Sequence, residues 1–365
     1  MLRVTTALAA AVLAALLASA AGAAEEGLFI VRKDGKCGFI DATGKLAIQP
    51  QFDRAEPFSE GLALVKVGGF GGKYGFVDKE GKLAVNPQYE DARSFKSGLA
   101  LVLTARKWGF IDRRGKMVIN AQFDDAESFS EDLAAVRIGN KRGFVDTDGK
   151  YAVNPQFDRA SSFSQGLAMV LAGKKWGAVD KSGKTVIAPQ FDGADQFAGG
   201  LARVRVGGAM GARYGFADKT GNFVANPQFR DAGHFSEDLA AVRPDKTWGY
   251  IDKAGKAVIA PQFVEAGAFS EGLAPVRSGK TWGFIDKEGK EVVKPQFELA
   301  AGFSEGLAAV RAGRKWGYVD KAGTVVVNPQ YDEAEPFAGG LARVSVGRDQ
   351  GYIDRSGKYV WNPTH

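Results

Sequence analysis

A basic residue stands just before the aromatic position in most repeats of this chain: Lys36, Lys73, Lys107, Lys141, Lys175, Arg213 and Lys315. In a stacked array such residues recur along one edge, and an electropositive ladder of that kind tracks an anionic polymer such as an acidic envelope glycan. The plainer reading is that Lys at strand edges prevents edge-to-edge aggregation. Acidic residues in the connecting loops, among them Asp124, Asp125 and Glu127, partly balance the charge.

Two Gly-rich hairpins depart from the template and are the other binding candidates. Val67 to Tyr74 reads Val-Gly-Gly-Phe-Gly-Gly-Lys-Tyr, and Val206 to Tyr214 reads Val-Gly-Gly-Ala-Met-Gly-Ala-Arg-Tyr. Each displays an apolar side chain beside a cation, Phe70 with Lys73 and Met210 with Arg213, on a loop positioned by a scaffold. The alternative is a tolerated insertion copied by duplication. The hairpins belong to units opening at Leu62 and Leu201, four units apart, and the unit at Leu341 shares the Leu-Ala-Arg-Val-x-Val-Gly opening of the second.

The remaining chemistry-bearing residues read as structure. Trp in phase with the repeat suits sugar stacking, but the area an aromatic buries favours the core. An Asp and a Gly three positions apart recur in every unit, as Asp112/Gly115, Asp146/Gly149 and Asp286/Gly289. That spacing fits a type I turn with Asp accepting backbone N–H groups and Gly at positive φ. Lone carboxylates a whole repeat apart do not make a metal shell, and no calcium-loop motif occurs.

Catalysis finds little support. The two His, His234 and His365, have no partner evident in sequence, and Gly-x-Ser-x-Gly, His-Glu-x-x-His, the Walker loop and paired Cys ligands are absent. We expect no enzyme activity, no cofactor and no metal. The single Cys, Cys37, stands where later units place Trp or Tyr and reads as a small buried hydrophobe.

The elements that position these residues form an array. Units open at Leu28, Leu62, Leu99, Leu133, Leu167, Leu201, Leu239, Leu273, Leu307 and Leu341, mostly 34 residues apart, and repeats of this length are stacked supersecondary units. Each unit holds three short β-branched or aromatic runs separated by turn residues, which reads as a three-stranded antiparallel meander. Pro then ends the third strand, because it can donate no ladder hydrogen bond. Two Phe residues six apart, such as Phe191 and Phe197, pin the connecting loop, and a recurrent Gln pairs with loop backbone groups. A helical reading of the period fails, since 48 Gly and a Pro in nearly every unit are hostile to helices. Strands apolar on both faces demand cover on both sides. We therefore expect an all-β array of sheets stacked face to face as an open superhelix or solenoid, with a closed propeller-like toroid as the alternative.

Residues 1–24 read as a secretory signal, with Arg3 in the positive region, an Ala/Leu core from Ala7 to Ala18 and Ala21-Gly22-Ala23 at the cleavage site. Residues 25–365 then form the repeat array, exported to the periplasm or beyond, with no membrane span and no Cys placed for a lipid anchor. The formal charge of +6 falls to +5 without Arg3, a modest and dispersed excess that implies no nucleic-acid partner.

The blocks Lys107-Trp108-Gly109-Phe110-Ile111-Asp112 and Lys315-Trp316-Gly317-Tyr318-Val319-Asp320 resemble the bacterial WG (KWG) β-repeat family over essentially the whole mature chain. The resemblance implies a β-rich repeat protein, often exported, and carries over no catalytic residue. The Trp position departs from the pattern at Cys37, Tyr74, Arg142, Tyr214 and Gln350, and units with Arg or Gln there are expected to pack less tightly or to lie near an exposed end. Two roles follow as expectations: an exported scaffold for a protein partner, or a module binding an envelope polysaccharide or peptidoglycan.

Overall fold

The computed structural model describes residues 27–208 and 211–364. The expected signal segment, residues 1–24, together with Met210 and His365 lies outside the described residues. The described chain is all-β and contains ten small antiparallel sheets, so the fold class follows the expectation.

One sheet shows how each is built. Leu133–Ile138 and Lys141–Asp146 pair in register from Leu133↔Asp146 to Ile138↔Lys141, and Tyr151–Phe157 adds the third strand. A fourth strand corrects the three-stranded expectation. Asp125–Ala126, from the loop that leaves the preceding repeat, pairs with Arg137 and Val136 on the open edge. Among the described residues nine sheets gain their fourth strand from the preceding repeat in this way. Seven do so through only two residues, too few for a periodicity to reveal, and two through the longer Arg54–Ser59 and Leu299–Ser304.

The second turn forms as expected. Gly115 N–H donates to the Asp112 carbonyl at 2.9 Å, and the Asp112 carboxylate accepts the N–H groups of Arg114 and Lys116, both at 2.9 Å. Gly149 and Gly289 donate in the same way to the Asp146 and Asp286 carbonyls, each at 3.0 Å, with φ of 82° and 84°.

Gly149 and Gly289 also touch the preceding sheet. A Cβ at Gly149 would lie 3.1 Å from the Ile119 Cγ2 methyl, and one at Gly289 would lie 3.2 Å from that of Ile259. Each turn thus sits against a buried Ile of the repeat before it, and the missing side chain serves the contact between sheets as well as the turn.

The Pro does not end the third strand. Tyr151–Phe157 runs through Pro155, because the pairing bulges there: Phe144↔Val153 is followed by Arg142↔Phe157. The bulge presses the third strand against Gly143, where a Cβ would lie 2.4 Å from the Val153 carbonyl oxygen and 2.6 Å from the Pro155 nitrogen. The Gly that follows the aromatic position is therefore required by close backbone approach, and Pro sits where no ladder bond is lost. The recurrent Gln residues, Gln51, Gln88 and Gln190 among them, lie in the third strands and are exposed, and the hydrogen bond formed by Gln88 goes to the Tyr89 hydroxyl at 3.5 Å instead of to loop backbone.

Burial follows both faces of each strand. Ala134 and Val136 pack back on Leu101, Phe110 and Ile119, while Leu133, Ala135 and Phe144 pack forward on Ala160, Phe163 and Val170. The loop Phe is pinned as expected, with Phe144 and Phe163 meeting edge to face at a centroid distance of 4.7 Å. Such a pair contributes about 0.5–1.5 kcal/mol beyond its buried area.

The chain divides into two compact units, residues up to 94 together with 296 onward, and residues 95–295. In the second unit, consecutive sheets are tied by the Phe-Ser-x-x-Leu segment. Ser130 Oγ donates to the Phe163 carbonyl at 2.8 Å, and Ser164 Oγ to that of Phe197 at 2.7 Å. Glu131 accepts the Gly166 N–H at 2.9 Å.

The first unit holds the first two and last two sheets, and in it the chain's ends meet. Phe29, Val31 and Ile40 of the first sheet share a cluster with Leu341 and Tyr352 of the last. Tyr352 Oη donates to the Ile30 carbonyl at 2.9 Å, and Thr364 Oγ1 donates to the Arg32 carbonyl. An open superhelix keeps its first and last sheets apart. Within this unit the two end sheets are in direct contact, which is at odds with the solenoid expectation and is what the propeller-like alternative expects.

Candidate functional site

The basic row is engaged in a repeated staple. Lys36 Nζ lies 2.5 Å from Asp53, Lys107 2.6 Å from Asp124, Lys141 2.6 Å from Asp158, Lys175 2.7 Å from Asp192 and Lys315 2.6 Å from Asp332. In each case the Asp follows the aromatic that closes the third strand. Its second oxygen accepts a backbone N–H from the tip of the next sheet's first hairpin: Gly69, Gly139, Gly173, Gly207 and Gly347. The Lys hydrogen bond, then the Gly N–H, hold these carboxyls below their ordinary range. Sequence reasoning named these lysines but missed their partners, whose signal is an Asp recurring 17 residues after the Lys. Arg213 has Arg230 at that spacing, and Arg230 pairs with Asp245 at 2.8 Å.

Both long hairpins are anchored through an N–H of their Gly-rich loop, Gly69 to Asp53 and Gly207 to Asp192. At the tip of the first, Gly72 N–H donates to the Gly69 carbonyl at 3.1 Å, and the Phe70 side chain stands wholly in solvent at 110% relative exposure. Lys73, at the foot of the same tip, is exposed.

The aromatic row lines a polar margin of the core. Trp108, Trp176, Trp248 and Trp316 are half-buried and packed on their core clusters. Cations cover several of these rings, Arg243 over Trp248 at 5.4 Å and Arg203 over Tyr214 at 5.2 Å. Arg142, where Trp is usual, is not loosely packed: its side chain is only 16% exposed and pairs with Asp125 and Glu127. Its sheet lies mid-chain, so the expectation for that unit is corrected, because two carboxylates replace the apolar contacts an indole makes.

The turn pairs Asp112/Gly115, Asp146/Gly149 and Asp286/Gly289 hold backbone. The Asp146 carboxylate accepts the Asp148 and Lys150 N–H groups at 3.0 and 2.9 Å, and that of Asp286 accepts those of Glu288 and Lys290 at 3.2 and 2.8 Å.

At Cys37 the row opens into a cleft of about 500 Å³ formed by the first two sheets and the edge strand Asp91–Ala92 of the third, lined by Cys37, Ala55, Leu64, Tyr74 and a rim of charged groups. Burial pushes the Cys37 thiol up from its ordinary value, so it stays protonated.

His234 is exposed near Arg203 and Asp195, and desolvation followed by the Arg203 charge lowers its pKa. Among the described residues no group of three His, Cys, Asp or Glu is placed to hold a metal, and no helix is long and apolar enough to cross a membrane.

No curated protein matches the chain. Among solved structures it is similar to a eukaryotic initiation factor, at 11% identity and a TM-score of 0.54 over 92% of this chain and 95% of that one. At that identity the likeness shows the fold alone. It is also similar to the tricorn protease, at 10% identity and a TM-score of 0.34, covering 89% of this chain and 45% of that one, so it spans under half of that protein. The WG containing repeat matches residues 38–69, 74–107, 108–141, 143–176, 176–208, 214–246, 248–282, 282–316 and 316–348. Recurring from residue 38 to residue 348, that repeat makes the chain a member of the WG β-repeat family.

Proposed function

We propose that the protein is an exported, non-enzymatic scaffold that binds a protein partner at the cell envelope through the long hairpin of its second sheet. The observation that carries this reading is Phe70, a large apolar side chain fully in solvent on a hairpin tied to Asp53 through the Gly69 N–H. A side chain exposed to that extent contributes nothing to the core. A rigidly presented aromatic anchor that fills a partner's pocket is how interface energy is concentrated. The stapled lysines argue in the same direction, since five cations of the row are already paired with Asp and a paired cation attracts a polyanion weakly. The polysaccharide reading therefore takes second place.

The test replaces Phe70 with a photo-crosslinking amino acid in cells and compares the wild type with Phe70→Ser in envelope pull-downs at low and high salt. The reading expects one stoichiometric protein crosslinked at Phe70, retained at high salt and lost in Phe70→Ser. Salt-sensitive sedimentation with isolated envelope polysaccharide, unaffected by Phe70→Ser, would replace it with the glycan reading. N-terminal sequencing of the envelope-associated protein tests export and is expected to begin near Ala24 or Glu25.

A further inference from the structure

We propose that the cleft at Cys37 is a binding site for a small anionic ligand carrying a flat ring, an aryl phosphate or aryl carboxylate in chemical class. The site is separate from the Phe70 surface and does not depend on it.

The space comes from one substitution in the repeat. In the sheets with Trp108, Trp176, Trp248 and Trp316 the indole packs on the core. The cluster beneath Trp108 holds Phe123, Ala126 and Val136, and the matching cluster in the first sheet holds Phe52, Ala55 and Val65 with Cys37 in the Trp place. A thiol fills a small part of the volume of an indole. What remains is a cleft of about 500 Å³ with Ala55, Leu64 and Ala92 on its wall and the half-buried Tyr74 ring beside it, a volume within the range of small-molecule sites. The wall suits a flat ring, and the neutral thiol adds no charge to it.

The charge comes from a second departure, independent of the first. In three other sheets the edge strand sets a carboxylate opposite a cation, Asp125↔Arg137, Asp231↔Arg243 and Glu265↔Arg277. In the sheets whose edge strands open at Arg159, Gly193, Leu299 and Glu333 no two cations face each other. All three carboxylate–cation pairs close as ion pairs, Arg137–Asp125 at 3.9 Å, Arg243–Asp231 at 3.2 Å and Arg277–Glu265 at 2.7 Å. At the cleft the pair is Arg54↔Lys66, like charges directly opposite, which destabilise a sheet. Lys66 lies over the Tyr74 ring at 5.4 Å, and Arg32 joins both at the rim. Among the described residues none of Arg32, Arg54 and Lys66 has a carboxylate partner.

Each acid that lines the cleft has a partner other than Arg32, Arg54 and Lys66, and Asp91 also lies 4.0 Å from Arg93, a fourth cation of the lining. Asp53 holds Lys36 and the Gly69 N–H, Glu56 accepts from Ser94 Oγ at 2.8 Å, and Asp91 accepts the Ala92 N–H at 2.9 Å. Three cations without a direct carboxylate partner, at the rim of a cleft with an apolar and aromatic wall, gain one from an anion whose ring occupies the slot.

Calorimetric titration of the full chain tests this with phenyl phosphate and benzoate as probes, against inorganic phosphate and benzyl alcohol. We expect at least one of the two ring-bearing anions to bind at one site per chain, and the ring alone and the anion alone to bind at least about tenfold more weakly, since each forfeits one half of the recognition. Cys37→Trp, which restores the residue native to five other repeats, should fill the slot and abolish binding. Arg54→Asp recreates the pairing of Asp125 with Arg137. It should weaken binding by about tenfold or more while raising the melting temperature of the free protein. The proposal is overturned if neither ring-bearing anion binds, if benzyl alcohol or inorganic phosphate binds as tightly, or if the anion binds Cys37→Trp or Arg54→Asp as it binds the wild type.

Discussion

The Tyr352 hydroxyl donates a hydrogen bond to the Ile30 carbonyl across the junction of the last and first sheets, at 2.9 Å. In an ordinary sheet the carbonyl matching Ile30 is Ala135, which accepts the Glu127 N–H at 2.9 Å, and the one matching Arg32 is Arg137, which accepts the Asp124 N–H at 2.9 Å. The first sheet has three strands among the described residues, without the edge strand that the others carry. Two hydroxyls of the last sheet supply the donors instead, Tyr352 to Ile30 and Thr364 to Arg32. The junction is therefore satisfied by side chains where the other sheets use backbone.

Tyr352→Phe removes one donor and leaves the half-buried Ile30 carbonyl without that partner. The expected loss is about 1–3 kcal/mol in urea unfolding. Tyr151→Phe, at a side chain 40% exposed, should change stability by less than about 0.5 kcal/mol. Equal effects of the two substitutions would show that the junction hydrogen bond contributes nothing.

The Asp staples make stability depend on acid. Asp53, Asp124, Asp158, Asp192 and Asp332 are held below the ordinary carboxylate range, first by the Lys side chain and then by the Gly N–H. A depressed folded-state pKa gives stability that is complete above the unfolded value, about 3.9 for Asp, and is lost as pH falls through the lower folded value. The melting temperature should therefore drop on acidification below about pH 4. It should drop less steeply when all five are changed to Asn. Some slope will persist, because the turn residues Asp41, Asp180, Asp218 and Asp354 are depressed by their own hydroxyl and backbone donors. An unchanged slope in the quintuple variant would mean the staples do not couple to folding.

Gly143 and Gly173 separate close approach from backbone conformation. A Cβ at Gly143 would sit 2.4 Å from the Val153 carbonyl oxygen, whereas at Gly173, with φ of 65°, nothing lies within 4 Å. Gly143→Ala must force the bulge open, with an expected loss above about 3 kcal/mol or failure to fold. Gly173→Ala faces only the left-handed backbone and should lose about 1 kcal/mol. Thermal melts of the two variants give the comparison, and the reverse order would refute the bulge as the reason for the Gly.

Most of the repeat was legible because each of its signals is local. The Asp112/Gly115 turn, the face-to-face stacking of strands and the loop Phe all follow from spacing within one unit. What escaped depends on contacts between units. Asp125–Ala126 has no strand pattern of its own and pairs only because Val136 and Arg137 of the next repeat offer an open edge. Gly149 and Gly289 read as turn residues alone until the stacking sets them against Ile119 and Ile259 of the preceding sheets. Lys141 reads as a free cation until the fold brings Asp158 to 2.6 Å. The contact between the end sheets escaped for the same reason: no surplus strand marks the junction, since Tyr352 and Thr364 satisfy it through hydroxyls. The Cys37 cleft was half visible. The missing aromatic shows in the sequence, but the facing of Arg54 and Lys66 needs the register.

Phe163 and Phe70 place the same side chain at opposite extremes of the scaffold. Phe163 is 1% exposed and meets Phe144 edge to face, whereas Phe70 is exposed in full. Phe163→Ala leaves a cavity between two sheets, and the expected loss is about 3–5 kcal/mol. In a stacked array that loss should fall on the interfaces on either side of its sheet, so protection from hydrogen exchange should decline first in the strands Leu133–Ile138 and Leu167–Ala172. Phe70→Ala should leave stability within about 0.5 kcal/mol of the wild type and the exchange pattern unchanged. If Phe70→Ala instead destabilised the protein as much as Phe163→Ala does, the hairpin tip would be packed in solution, and the free anchor on which partner binding depends would not exist.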